Sequence, residues 1–136
     1  MGYLDDIDAA LRKTLIGNAN ISKLVGTRVY PTYLAAVTDP RYPCICFMRI
    51  SGPRDFRFTK RVSPAYDMYI YSSKDYSETD LIFDHIRLTL DNEFFIIPKD
   101  VGRVNFRITT NGSQNIDPDT LLYNSMFRIQ VFAFFT

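Results

Sequence analysis

The chain has 136 residues, which is enough for one domain and too few for two of ordinary size. Its composition, 46% hydrophobic and 23% charged residues, is that of a soluble globular protein. Sixteen Lys and Arg against fifteen Asp and Glu leave a formal net charge of +1, which excludes a globally basic nucleic-acid-binding protein and an acidic disordered tail. We therefore expect a single domain, residues 1–136, whose function depends on local surface features.

The first third of the chain predicts a helix and a buried strand. Apolar residues recur at three- and four-residue steps over residues 3–16, which predicts an amphipathic helix with acidic residues in its first turn. A short turn at residues 21–25 and a brief extended piece at 28–30, halted by Pro31, follow. Residues 42–50 are apolar on both alternating sets, which indicates a strand covered on both faces.

Three further strands are predicted in the rest of the chain. A basic, exposed ribbon at residues 54–61 leads into a strand at about 65–71. Clean alternation predicts another strand at 103–110, and a last strand runs over about 123–135. Asn-Gly and Asp-Pro turn signals between these two strands predict a loop over residues 111–120.

Residues 77–90 predict a second amphipathic helix. We expect Ser77 and Asp80 to form a capping box and Tyr76 to pack onto Leu81 as a hydrophobic staple. The core stripe of this helix comprises Ile82, Phe83, Ile86 and Leu90. The predicted fold is therefore α+β: a mainly antiparallel sheet of about four to five strands with two α-helices packed on one face.

The sequence contains no pattern that predicts an enzyme, a cofactor or a metal site. His85 falls in the apolar arc of the second helix, and the neighbouring Asp84 points about 100° away, so it cannot orient the ring as a general base. We interpret His85 as a packing or interface residue. A zinc site needs four ligands, whereas Cys44, Cys46 and His85 supply three without motif spacing. Neither a nucleophile elbow nor a glycine-rich phosphate loop is present.

Location is indicated by hydropathy, terminal charge and cysteine spacing. No apolar run reaches the roughly 18 residues of a membrane span. Asp5, Asp6 and Asp8 stand where a signal peptide would be basic, so we expect no export. Cys44 and Cys46 are two positions apart, a spacing at which a disulfide would distort the backbone, and this favours a reduced intracellular compartment.

Charge is unevenly distributed along the chain. Residues 41–61 sum to +5, whereas residues 62–90 sum to −3. Such basic and acidic surfaces can pair between copies of one domain and give register to a ring, and an ordinary solvated charge distribution is the alternative. Residues 54–58, Arg-Asp-Phe-Arg-Phe, are also similar to the basic-aromatic stripe of RNA-recognition sheets, although they lack its glycines.

Four segments carry a resemblance to a known family. The first helix leads into Leu-Val-Gly-Thr-Arg-Val-Tyr-Pro at residues 24–31. Tyr-Pro-Cys-Ile-Cys-Phe at 42–47 runs to Ile-Ser-Gly at 50–52, and the aromatic strand contains Tyr-Ile-Tyr-Ser at 69–72. In these segments, and in element order over nearly the whole chain, the sequence resembles the tail-completion (tail terminator) proteins of long-tailed bacteriophages and their prophage relatives. It departs from them in the basic ribbon that follows the Ile-Ser-Gly turn.

The resemblance implies a structural virion protein that is not an enzyme. Members of the family form hexameric rings that cap the tail tube, end its polymerisation and join the tail to the head or neck. The implied partners are further copies of the chain, the tail-tube protein and a head-completion or neck protein, while DNA passes through the ring without sequence-specific binding. The implied location is the tail or neck region of the virion, after assembly in the host cytoplasm.

The contact residues are expected in the irregular segments, which reach neighbours most easily. Those expected at the subunit or tube contact are Arg54, Arg57, Lys60 and Arg61. Asp117 and Asp119 are expected to meet the opposite partner. Two alternatives stay open: another neck component, such as a head-completion or stopper protein, and a small nucleic-acid-binding module that uses the ribbon at 54–61.

Overall fold

The computed structural model describes residues 3–51, 61–91, 93–97, 102–109, 113–116 and 120–134. These residues form three α-helices: α1 (Tyr3–Gly17), α2 (Ala19–Val25) and α3 (Tyr76–Leu90). They also form eight strands: β1 (Val29–Tyr30), β2 (Cys44–Ser51), β3 (Arg61–Val62), β4 (Ala65–Ser72), β5 (Glu93–Ile97), β6 (Gly102–Ile108), β7 (Ser113–Ile116) and β8 (Tyr123–Phe134). A membrane-crossing helix, which must be long and apolar, does not occur in these ranges.

All eight strands belong to one sheet, and β8 lies at its centre. The main path runs β1-β2-β4-β8-β6-β5, while β3 and β7 pair with β8 at its two ends. The two-residue pairing of β1 with β2 is parallel, and every other strand pairing in the described residues is antiparallel. The predicted class, α+β with a mainly antiparallel sheet, is confirmed, and the sheet has more strands than were counted from the sequence.

Two of the additional strands have identifiable sequence reasons for being missed. Residues 113–116, inside the predicted loop at 111–120, form β7 and pair with Tyr123 to Met126 of β8. The loop prediction is therefore wrong for these four residues. Their mainly polar sequence has no strand periodicity, and they form a strand because they pair with the long strand β8. The segment Glu93–Ile97 is continuously apolar after its first residue and does not alternate, yet it forms β5 beside β6.

The core lies between the helices and one face of the sheet. The periodic residues of α1 (Ile7, Leu11 and Leu15), α3 (Ile82, Ile86 and Leu90) and β4 (Tyr66, Met68 and Ile70) are all fully buried there. The predicted two-sided burial of β2 holds for its first half, from Cys44 to Phe47, whereas Ile50 is 44% exposed. The end of β2 therefore presents apolar surface to solvent.

The start of α3 differs from the predicted cap. The N-cap is Asp75, whose side chain accepts a hydrogen bond of 2.9 Å from the backbone N–H of Glu78. Ser77 lies inside the first turn, so the predicted capping box is wrong: Asp caps as well as Ser does, and Asp75 ends the turn that leaves β4. Tyr76 packs edge-on against a tyrosine of β8, and its predicted staple partner Leu81 is 46% exposed.

A polar cluster fixes α1 onto the sheet. The hydroxyl group of Tyr66, a fully buried residue of β4, donates a hydrogen bond to the carboxylate of Asp8 in α1. Arg49 of β2 donates to the other oxygen of this carboxylate at 3.3 Å. Burial, together with the hydrogen bond to Asp8, raises the pKa of Tyr66 above its ordinary value. The phenol therefore stays protonated and acts as the donor.

Candidate assembly surfaces

The expected contact residues fall mostly outside the part of the chain that the structure describes. Arg54, Arg57, Lys60, Asp117 and Asp119 lie outside the described residues. Arg61 is described as the first residue of β3, where it pairs in register with Phe134 near the end of β8. A common contact formed by these residues therefore stays a prediction from the sequence.

The described residues that flank the two expected contact segments lie at opposite ends of β8. Arg61, which follows the basic residues 54–60 directly, pairs with Phe134. Ile116, which precedes residues 117–119, pairs with Tyr123. Eleven residue steps of β8 separate these two pairings, which corresponds to about 35 Å. The basic and acidic segments therefore connect to the sheet far apart from each other.

The sheet face turned away from the helices, which we call the outer face, carries aromatic side chains among polar and charged ones. Tyr69 and Tyr71 stack there with ring centroids 6.2 Å apart, and both are half-buried. Asp67 of β4 and Arg128 of β8 are cross-strand partners that form an ion pair of 2.9 Å in the middle of this face. The pair raises the pKa of Arg128 by its hydrogen bond and charge, so the guanidinium stays charged.

At one end of the outer face lies an open groove of about 370 Å³, which we call the β6–β8 groove and which four side chains of the described residues line. The lining residues are Asn105, Arg107, Phe132 and Phe134. The guanidinium carbon of Arg107 lies 5.8 Å from the centre of the Phe132 ring, and its Nε donates to Asn105 at 3.3 Å. Phe134 is 44% exposed. The groove therefore combines an aromatic floor with a positively charged rim.

Arg103 extends this positive rim. It is exposed on β6 and pairs in register with Phe134, while Arg107 pairs with Gln130. The ion pairs found in the described ranges are Arg49–Asp8 and Arg128–Asp67, so Arg103 and Arg107 take part in neither. Within the described ranges, no carboxylate therefore neutralises either cation.

A second exposed apolar surface runs along α3 on the side opposite its core. Leu81 and Leu88 are seven residues apart, so they differ by only about 20° around the helix axis. They are 46% and 68% exposed, and the exposed Asp84 lies between them. We call these three residues the α3 stripe. It presents two leucines and a negative charge to solvent, and the half-buried His85 lies at its edge.

The two cysteines have the buried environment of structural, unreactive thiols. Cys44 and Cys46 are both free and fully buried. The hydrogen bond to Cys46 and the burial of the site raise the pKa of Cys44, which keeps its thiol protonated. Within the ranges that the structure describes, no three His, Cys, Asp or Glu side chains come together as a metal site would require.

The geometry defines a small α+β protein with exposed apolar surface on both its sheet side and its helix side. Neither a protein-family model nor a curated protein sequence matches the chain. A solved structure does share the fold: a chain of the virion of a native gene transfer agent particle aligns with a TM-score of 0.70. The alignment covers 98% of this chain and 99% of that chain, at 13% sequence identity. The two chains therefore share a fold along their whole length.

Proposed function

We propose that this chain is a structural virion protein of a phage-like particle, acting as a tail terminator. In this role, copies of the chain form a ring, about six in number, that ends growth of the tail tube and joins the tail to the head or neck. The observation that carries the proposal is the fold shared almost end to end with a chain of a gene transfer agent virion. The sequence resemblance to tail-completion proteins supports the finer assignment.

The exposed surfaces support an assembly function. A closed ring needs a heterologous interface, in which two different patches of each copy meet. The β6–β8 groove and the α3 stripe are two such patches, and both expose large apolar side chains. Exposed apolar surface of this kind, rimmed by charge, is typical of sites that bind another protein. No catalytic step is needed for this function.

The wide separation of the two charged segments supports binding to two axial partners. The basic segment joins the sheet at Arg61, and the acidic segment leaves it after Ile116, about 35 Å away along β8. In the proposed assembly, one end meets the tail-tube protein and the other meets the head-completion or neck protein. DNA passes through the lumen, and the virion tail or neck is the location.

The proposal is tested by measuring ring formation and tube capping together. The purified chain is sized by light scattering and imaged by negative stain, then added to the polymerising tail-tube protein of the same particle. A ring of about six copies that arrests tube growth supports the proposal. A ring that leaves tube growth unchanged identifies another neck component. A monomer with DNA affinity that falls steeply with salt identifies the nucleic-acid-binding alternative.

The basic segment is tested in the same assay by charge reversal. The double variant Arg57→Glu with Arg61→Glu is expected to weaken ring or tube contact, because like charges then face the partner surface. The matched control is Lys13→Glu with Lys23→Glu, which makes the same charge change at exposed positions of α1 and α2. Equal assembly by both double variants excludes a contact role for the basic segment.

A further inference from the structure

We infer that the α3 stripe of one copy packs into the β6–β8 groove of the next copy, and that this contact holds the ring together. The inference rests on the proposed function, since it names the two patches that a ring-forming protein of this fold uses. The occupant of the groove is thus a second copy of this chain. Four observations carry the inference: charge, position, dimensions and the apolar content of both surfaces.

The two surfaces carry opposite charges. The groove has Arg103 and Arg107 along its rim, and neither forms an ion pair in the described part of the chain. The α3 stripe has Asp84 between its leucines. Next to it lie the exposed Asp80, whose carboxylate accepts a hydrogen bond from Gln114, and the exposed Arg87, so two acidic groups and one basic group leave this side of α3 negative. Contacts between surfaces of opposite sign favour the correct partner and the correct register. One copy of the chain therefore supplies both halves of a complementary pair.

The two surfaces also lie on opposite sides of the molecule. Asn105 and Arg107 alternate along β6 with the core residues Val104 and Phe106, so the groove faces away from the helices. The α3 stripe faces away from the sheet, because Ile82 and the other core residues of α3 point towards it. One copy cannot bring its own stripe into its own groove. The contact is therefore head-to-tail, as a ring requires.

The dimensions of the two surfaces match. Arg103 and Arg107 are four residues apart on one strand, a separation of about 13 Å. An α-helix with its side chains is about 10 Å wide, so it can lie across the strands above Asn105, with Arg103 beside it. The floor beneath it is the guanidinium group of Arg107 lying over the ring of Phe132. Leu81 and Leu88, about 10 Å apart along α3, then lie on the two sides of the central Asp84.

The inference is tested by a charge swap in the full-length chain. Asp84→Arg and Arg107→Glu are each expected to weaken ring formation about tenfold or more, because each places like charges across the contact. The combination of the two substitutions restores opposite charges and is expected to assemble within a few-fold of the original chain. The measurement is the mass of the assembly by light scattering over a concentration series, with circular dichroism confirming that each variant is folded.

An uncharged pair of variants tests the apolar half of the contact. Leu88→Ser is expected to weaken ring formation, whereas Leu121→Ser is expected to leave it unchanged. Both leucines are 68% exposed, but Leu121 belongs to neither surface. This comparison stays informative even if a charge variant fails to fold.

Failure of the inference is distinct from failure of the proposed function. If the original chain forms rings and all the single variants form them equally well, the groove-to-stripe contact is wrong and the terminator function stands. If the original chain stays monomeric at every concentration and does not arrest tube growth, the proposed function fails, and the inference with it. If Arg107→Glu abolishes only a salt-sensitive affinity for DNA, a nucleic acid occupies the groove and the inference is overturned.

Discussion

The substitution Asp8→Ala tests the polar cluster that joins α1 to the sheet. It removes the carboxylate that accepts a hydrogen bond from Tyr66 and an ion pair from Arg49. Tyr66 is fully buried, so its hydroxyl group loses this acceptor in a place that bulk water does not reach. We expect the loss of this acceptor to be the larger part of the effect.

The expected magnitude follows from these two contacts. A buried hydroxyl group left without a partner costs about 1–3 kcal/mol. The ion pair is about 30% exposed on both sides, so solvent screening limits its contribution to about 0.2–1 kcal/mol. The sum is about 1–4 kcal/mol of unfolding free energy, centred near about 2.5 kcal/mol. For 136 residues the unfolding entropy is about 0.3 kcal/mol/K, and the melting temperature should fall by about 8 °C.

A double-mutant cycle separates the hydrogen bond from the ion pair. Tyr66→Phe removes the donor along with its need for a partner, so Asp8→Ala should cost less than about 1 kcal/mol in that background. Asp8→Asn, which keeps an acceptor at the same place, is the conservative control. Urea unfolding is measured at one fixed protein concentration, because assembly adds to apparent stability. An equal cost of Asp8→Ala in both backgrounds would refute the reasoning.

Two further predictions concern a helix cap and alkaline pH. Asn18→Ala should lower the free energy of unfolding, measured in urea, by about 1–2 kcal/mol. The Asn18 side chain is the N-cap of α2: it accepts hydrogen bonds from the N–H groups of Asn20 and Ile21, and it donates one to Thr89 at 2.9 Å. Asn18→Asp should keep the cap and lose only the hydrogen bond to Thr89. Burial raises the pKa of Tyr66 in the folded chain, so the phenol proton of Tyr66 leaves the unfolded chain at a lower pH than it leaves the folded chain. The free energy of unfolding should therefore fall as the pH rises above about 10. Tyr66→Phe should reduce this slope, and an unchanged slope would contradict the assignment.

Elements with strong periodicity were predictable from the sequence. The 3.6-residue pattern predicted α3 to within one residue of its observed start, and the two-residue pattern predicted a strand at 103–110, where β6 runs from Gly102 to Ile108. These patterns succeed because burial of one face dominates the energy of both elements. The first residue of α3 was missed because Asp75 and Ser77 are equally good caps, and the choice between them depends on the turn from β4.

The assembly surfaces were not predictable in the same way. The β6–β8 groove exists because Asn105 stands opposite Phe132, a register that depends on how β6 pairs with β8 across intervening chain. The α3 stripe was not predicted, because Leu81 was expected to pack against Tyr76, and only the structure shows that Leu81 and Leu88 are exposed. Sequence periodicity defines which side of an element is buried; it does not define which exposed sides complement each other between copies.

The arrangement of these surfaces bears on how one small domain could serve three contacts in the proposed ring. The groove lies on the sheet side of the layered fold, and the α3 stripe lies on the helix side. In the proposed ring, neighbouring copies would follow one another along the direction that joins these two sides. The charged segments connect to the sheet at Arg61 and Ile116, which pair with the two ends of β8. The β8 strand runs perpendicular to the direction that joins the sheet side to the helix side. Contacts around the ring and contacts along its axis would then use different residues. Substitutions in the α3 stripe should therefore disperse the ring, and capping of the tail tube should be lost for that reason. Substitutions near Arg61 should leave the ring intact, but this ring should no longer cap the tail tube.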